Sequence, residues 1–186
     1  MIALYAVTDH PAPPLPAPLS AVAREGIAFV CGAAPAPGDL SADLLWQHEN
    51  LLEKLMEDRD LLPVRYGTVL TDEDAAARAL VERHAELARA LERVRGAVEL
   101  SLRVAATEDV PWPLAHRAVH RPLSLLARDS TERPRRAAGE LMRAAYLVDR
   151  TAVSGFVDRV ARIQLSHPEL RLLCTGPWPP YSFSES

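Results

Sequence analysis

Lysine is almost missing from this 186-residue chain: of its 21 basic residues only Lys54 is a lysine, and the rest are arginines. In a sequence rich in alanine and proline that bias reflects coding preference more than function, although arginine is the better residue for fixed, bidentate pairs. Cysteine is nearly as scarce, and Cys31 and Cys174 lie far apart. Two such residues make neither a disulfide framework nor a zinc cage. Each is expected as a small buried apolar side chain, and a mutual disulfide is disfavoured in a reducing compartment. No apolar run approaches the roughly 18–20 residues needed to span a bilayer. The first residues lack the basic start, apolar stretch and cleavage site of a signal peptide. The expectation is a soluble, cytoplasmic protein with no membrane partner. An excess of one charge is also lacking, since 25 acidic residues against 21 basic ones leave −4. Residues 1–95 carry 15 acidic and 9 basic groups, and residues 96–186 carry 10 and 12. Neither half is basic enough to argue for nucleic acid as a partner.

Enzyme signatures are missing too. There is no GxGxxG fingerprint, phosphate-binding P-loop or GxSxG elbow. His48-Glu49 opens like the zinc-protease HExxH, but Leu52 stands where the second ligand belongs. His116 and His120 are four residues apart, yet Pro111, Pro113 and Pro122 surround them and no acidic or thiol residue lies between. They read as surface or loop histidines. His84 falls on an apolar helical stripe and reads as a partly buried core histidine with a hydrogen-bond partner. Glu49 and Glu53 belong to a solvated acidic face with Asp43, Glu57, Asp58 and Asp60, and Arg133–Arg136 to a solvated turn before a helix. No catalytic residue, metal ligand or cofactor is expected.

What the chain does contain is an alternation of strand and helix patterns. Residues 2–7 read as a buried strand, five prolines from Pro11 to Pro18 as a stiff connector, and Ile27–Cys31 as a second strand. Gly32–Asp39 reads as a loop. Ser41 is placed to cap a helix reaching about Arg59, with Leu45, His48, Leu52, Leu55 and Met56 on one face. Leu61–Arg65 reads as a strand, Gly67 as a tight turn, and Thr71 with Asp74 as the capping box of one long helix ending near Arg95. Its stripe is Leu80, His84, Leu87, Leu91 and Val94, and Gly96 stops it. Val98, Leu100, Leu102 and Val104 alternate with Glu99, Ser101 and Arg103, which predicts a strand with one dry and one wet face. A new sheet starting here places a domain boundary at 95–96. Residues 106–135 read as irregular, 135–143 as a helix, Ala144–Asp149 as a strand, about 152–166 as a helix, and Leu170–Thr175 as a last strand. The fold class is α+β, with two small two-layer domains over residues 1–95 and 96–186.

Three segments stand out. Trp46-Gln47-His48-Glu49 puts an aromatic, an imidazole and a carboxylate within one turn. Leu62-Pro63-Val64-Arg65-Tyr66-Gly67-Thr68 puts a cation and a phenol beside a glycine. Gly176-Pro177-Trp178-Pro179-Pro180-Tyr181-Ser182-Phe183 gathers three of the ten aromatics into eight residues. Such a proline-stiffened segment loses little conformational entropy when it docks, either onto its own domain or onto a partner as an anchor.

With Gly96-x-Val98-Glu99 and Ala144-Ala145-Tyr146-Leu147-Val148, these segments in this order resemble the GvpF/GvpL family of gas vesicle proteins over nearly the whole chain. Tyr66 stands where phenylalanine is expected in that family. The resemblance implies a non-enzymatic accessory protein or minor structural component that supports assembly of the gas vesicle and contacts its major shell protein. It also implies a second domain with a modified ferredoxin-like fold, for which the pattern above is one strand short. Localisation is then the gas vesicle, and the cytoplasm before assembly. Arg65, Tyr66, Thr68, Pro177, Trp178, Pro179 and Tyr181 are the candidate partner-binding residues. Other gas vesicle accessory proteins are further candidate partners, and a ferredoxin-like small-molecule binder or enzyme is the alternative reading.

Overall fold

The apolar opening segment becomes β1 (Ile2–Asp9), the central strand of an antiparallel sheet. The structure is a computed structural model that describes residues 1–35, 41–106, 110–134 and 139–184. It divides into two compact units, Met1–Arg95 with Pro179–Ser186, and Gly96–Trp178.

In the first unit, β2 (Ser20–Arg24) and β3 (Ile27–Ala33) form a hairpin closed by Glu25 and Gly26, at φ +46° and +89°. A two-residue loop with both φ values positive matches the twist of the flanking strands. The sequence pattern misses β2 because a short, mostly exposed edge strand follows the prolines directly. It also ends β3 two residues early: Gly32 and Ala33 belong to the strand, while residues 36–39 of the expected loop lie outside the described residues. The proline connector is held by Arg59, whose guanidinium donates to the carbonyls of Pro13 and Pro14 at 3.1 and 3.3 Å and pairs with Asp58 at 2.7 Å.

Ser41 caps α1 (Ala42–Met56), its Oγ accepting from Leu44 N–H at 3.3 Å. The helix stops at Met56 and buries His48, Leu52, Leu55 and Met56, but Leu45 faces outward. β4 (Leu61–Pro63) and β5 (Val69–Leu70) both pair with β1, opposite its two ends. Asp72 caps α2 (Glu73–Glu82) by accepting from Ala75 N–H at 2.8 Å, in place of the expected Thr71. The expected single helix is two, because Arg83 leaves helical geometry at φ −105°, ψ 9° before α3 (His84–Val94). Leu80, Leu87, Leu91 and Val94 are buried as their spacing predicts, and His84 Nε2–H donates to the Glu25 carbonyl at 3.0 Å. The sheet order is β2-β3-β1-β4, with β5 also on β1.

The second unit runs β6 (Ala97–Ala106), α4 (Trp112–Ala115), a π-helical segment (His116–His120), α5 (Arg121–Ser124), β7 (Asp129–Arg133), β8 (Glu140–Asp149), α6 (Val153–Ser166) and β9 (Leu170–Trp178). All pairings are antiparallel, in the order β7-β8-β6-β9. In chain order that is strand 2-3-1-4 of a βαββαβ unit, compatible with the modified ferredoxin-like fold. The strand missing from the sequence pattern is β7, too polar to alternate visibly. The described residues of the stretch 106–135 are largely regular: Pro113 and Pro122 sit in the first turns of α4 and α5, where proline starts a helix rather than breaking one. The helix expected over 135–143 is not there from residue 140 on, where β8 begins; residues 135–138 lie outside the described residues.

One core joins this sheet to its helices. Leu100, Leu102 and Val104 meet Met142, Ala144, Tyr146 and Val148 on one sheet face, under Ala115, Val119 and Leu123 and under Phe156, Val160 and Ile163. The wet face expected for β6 fails at Glu99, which is 3% exposed and holds Arg133 Nη2 at 2.7 Å. β9 reaches Trp178 by passing Gly176 at φ +121°, where an added Cβ would lie 2.8 Å from the Glu99 carbonyl oxygen. Gly176→Ala is therefore expected to destabilise the protein by about 1–3 kcal/mol, read as a lowered urea midpoint at unchanged slope; an unchanged midpoint would show that the close approach relaxes freely.

Candidate functional site

The first unit brings the rings of Tyr5, His48 and Tyr66 together at an irregularity in β1. Pairing between β1 and β3 shifts register between Leu4 and Ala6, and the residue between them is Tyr5. Bulges of this kind re-aim a side chain. Here the Tyr5 ring stacks on the buried His48 ring of α1, centroids 5.3 Å apart and planes 24° apart. Tyr66 meets the same imidazole edge-on at 5.5 Å. His48 Nε2–H donates to the Val64 carbonyl at 3.0 Å. Burial, only partly offset by that hydrogen bond and by Glu49, lowers the His48 pKa below the ordinary 6.5. Burial, and then the neighbouring Tyr66, raise that of the Tyr5 phenol.

The segment from Val64 to Thr68 is held in turn by the strand it crosses. Val64 N–H donates to Tyr5 O at 2.8 Å, and Leu4 N–H donates to Thr68 O at 2.9 Å. Thr68 closes the turn, its N–H and Oγ1–H both reaching Arg65 O, at 3.2 and 2.8 Å. Gly67 at φ +83° supplies the positive φ that this turn requires. Arg65, Tyr66 and Thr68 are thus brought together, with Arg65 exposed.

Glu49, the next residue on α1, accepts the Tyr181 hydroxyl at 2.9 Å. Burial and then the Glu49 carboxylate push the Tyr181 phenol well above its ordinary range, so it remains a donor. Pro179 and Pro180 are buried, and Phe183 is 1% exposed beneath the Arg93 guanidinium, 5.8 Å from the ring centroid. Pro177 and Trp178 belong instead to the second unit at the end of β9, where Trp178 Nε1–H donates to Thr175 Oγ1 at 3.2 Å. The candidate residues therefore fall into a turn, a docked tail and a strand end.

Beside the His48 cluster lies an open groove of about 810 Å³, whose lining includes Ala3, Tyr5, Leu44, Trp46, Leu51 and Tyr66. Trp46 is 68% exposed there. Sequence reasoning quotes Trp46 in its motif without assigning it to the site, although a large aromatic off the apolar stripe of a helix is the signal that marks it. Nothing in the run of β1 marks Tyr5. His48 is committed to Val64 and two aromatic rings, and the groove presents apolar surface with Lys54 and Glu57 on its lining. Such an arrangement suits binding. In the second unit, His116 and His120 lie not on a loop but on the helical stretch, beside Glu132 of β7.

The family model of the gas vesicle synthesis proteins GvpL/GvpF matches residues 2–111 and 114–185. The chain belongs to the GvpL/GvpF family. It is 31% identical to gas vesicle protein L of Streptomyces sp. (strain CB03234), over 78% of this chain and 70% of that one. Its identity to gas vesicle protein F1 of Halobacterium salinarum is 26%, over 73% of this chain and 66% of that one. The crystal structure of GvpF from Anabaena sp. PCC7120 shares the fold, with a TM-score of 0.83 at 20% identity, covering 100% of this chain and 96% of the other. The GvpL/GvpF relatives are gas vesicle proteins by name, and among the described residues no helix is long and apolar enough to cross a membrane.

The buried imidazole predicts a pH dependence. A histidine whose pKa is lower folded than unfolded contributes stability that is complete above the unfolded value and lost as pH falls through the folded one. Wild type should lose stability between about pH 7.5 and about pH 5 more steeply than His48→Gln. Parallel slopes in urea unfolding of the two proteins would remove His48 as the titrating group.

Proposed function

We propose that the chain is a non-catalytic assembly protein of the gas vesicle that binds the major shell protein in the cytoplasm before incorporation. The observation that carries this reading is the exposed Trp46 on an open, largely apolar groove, in a chain of the GvpL/GvpF family. Vesicle shell subunits must be apolar and must associate edge to edge, so unassembled copies are prone to aggregate. A groove with a rigid aromatic at its rim is a suitable shield, because tryptophan concentrates binding energy where water is excluded.

The turn and the tail take different parts in this reading. Tyr66 lines the groove, Arg65 and Thr68 belong to the same turn, and an exposed arginine there suits pairing with a shell carboxylate. Tyr181 and Pro179 act from behind by fixing the tail onto the first unit. Trp178 and Pro177 offer a separate exposed contact at the end of β9 in the second unit. Other accessory proteins of the vesicle are the remaining candidate partners.

Co-expression with the major shell protein tests the proposal. Wild type should keep the shell protein soluble and co-purify with it. Trp46→Ala should lower the affinity roughly tenfold or more while leaving circular dichroism unchanged. Deleting the tail is a poorer probe, because it removes the buried Phe183 along with any contact surface. Shell protein that stays insoluble with wild type, or binding indifferent to Trp46→Ala, would reject the groove as its docking site.

A further inference from the structure

We propose that His116, His120 and Glu132 form a site for a first-row divalent transition-metal ion in the second unit. One nitrogen of each imidazole and one Glu132 carboxylate oxygen lie within 4.8 Å of one another. His116 Nε2 is 3.4 Å from Glu132 Oε1, and the two imidazole centroids are 4.9 Å apart. An edge near 3.4 Å is what two ligands about 2.0–2.1 Å from a tetrahedral ion present to each other. The other donor atoms, within 4.8 Å of one another, would draw in toward that edge on an ion.

Local structure explains why the three side chains converge. The turn from His116 to His120 is π-helical, with Arg121 N–H bonded to His116 O. Single π turns inside helices are frequently functional. Behind the cluster, His120 Nδ1 is 2.9 Å from the hydroxyl of the fully buried Tyr146, which fixes the ring and leaves Nε2 as the nitrogen for a ligand bond. Ligating histidines are oriented in this way by a hydrogen bond at the other ring nitrogen. The Trp112 ring lies against His116, centroids 5.0 Å apart.

The donor set decides the class of ion. Two imidazoles and one carboxylate favour zinc and its first-row neighbours over magnesium or calcium, which prefer all-oxygen shells. The His116 and Glu132 side chains are 33% and 42% exposed, so the site opens to solvent on one side and has room for a water or an incoming ligand as the fourth donor. The ion would tie the helical stretch 112–124 to β7, the edge strand of the second sheet. Without it, the same atoms make at most a His–Glu ion pair, which needs a protonated His116.

The test uses the full chain, stripped with chelator and titrated with zinc by calorimetry, and with cobalt(II) by visible absorption. The expected result is one zinc per chain, a cobalt spectrum of tetrahedral intensity, and binding weakened tenfold or more in each of His116→Ala, His120→Ala and Glu132→Gln. His167→Ala serves as a control, since His167 forms a comparable pair with Glu169 at 3.0 Å but belongs to no three-donor group among the described residues. It should bind zinc like wild type. Circular dichroism of the stripped variants separates lost binding from lost fold, and Glu132→Gln, on a half-exposed strand residue, keeps the test open if a histidine variant unfolds. Binding that is absent, or unaltered in a folded Glu132→Gln, would overturn the proposal and leave an ordinary ion pair.

Discussion

The imidazole of His48 is the point on which the first unit turns. Through one hydrogen bond and two ring contacts it joins α1, the bulge of β1 and the turn after β4. Each contact has few substitutes. A carbonyl facing a buried position needs a donor, and a flat ring is needed between two phenols. A neutral imidazole supplies both, and burial keeps it neutral. The groove lies beside this point, lined by Tyr5 and Tyr66 and by α1 residues, with Trp46 left in solvent. Glu49 extends the arrangement by one residue to Tyr181.

That account changes the meaning of the sequence motif. His48-Glu49 looks like half of a zinc-protease signature, but both side chains are anchors, one for a turn and one for a tail. The large apolar side chain that the motif exposes is Trp46. The pattern of apolar spacing found α1, its cap at Ser41, α6 and the buried stripe of α3, because those features depend on local periodicity. It missed β2 and β7, short polar edge strands whose pairing is set by partners distant in sequence. It also treated prolines as breakers throughout, whereas Pro113 and Pro122 start helical turns. Glu99 was read as solvent-facing because alternation alone does not reveal its pairing with Arg133, 34 residues later.

Arginine's dominance over lysine has visible structural outlets, whatever its origin. Arg59 gathers two backbone carbonyls and a carboxylate, Arg133 neutralises a buried glutamate, and Arg95 pairs with Asp9 at 2.9 Å. Arg59 and Arg95 use the planar, multidentate head that lysine lacks. Their value differs with burial. An exposed pair such as Arg95–Asp9 adds little, while Arg133 pairs with a buried carboxylate, so its removal costs more. The two conspicuous candidate sites rest on different kinds of order. The groove is apolar surface framed by aromatic rings, and the His116 cluster is polar chemistry hung from a core tyrosine.

The tail has a consequence for biosynthesis. Residues 179–184 complete the first unit, yet they follow the whole second unit along the chain, so that the second unit is topologically an insertion within the first. Domains emerging from the ribosome generally fold in order, beginning at the N-terminus. Here the first unit emerges early but unfinished, with Glu49 still lacking its tyrosine and the site for Phe183 unfilled. The second unit is continuous from Gly96 to Trp178. The growing chain therefore contains a period in which the second unit is finished and the first is not, and the groove-bearing unit is sealed last.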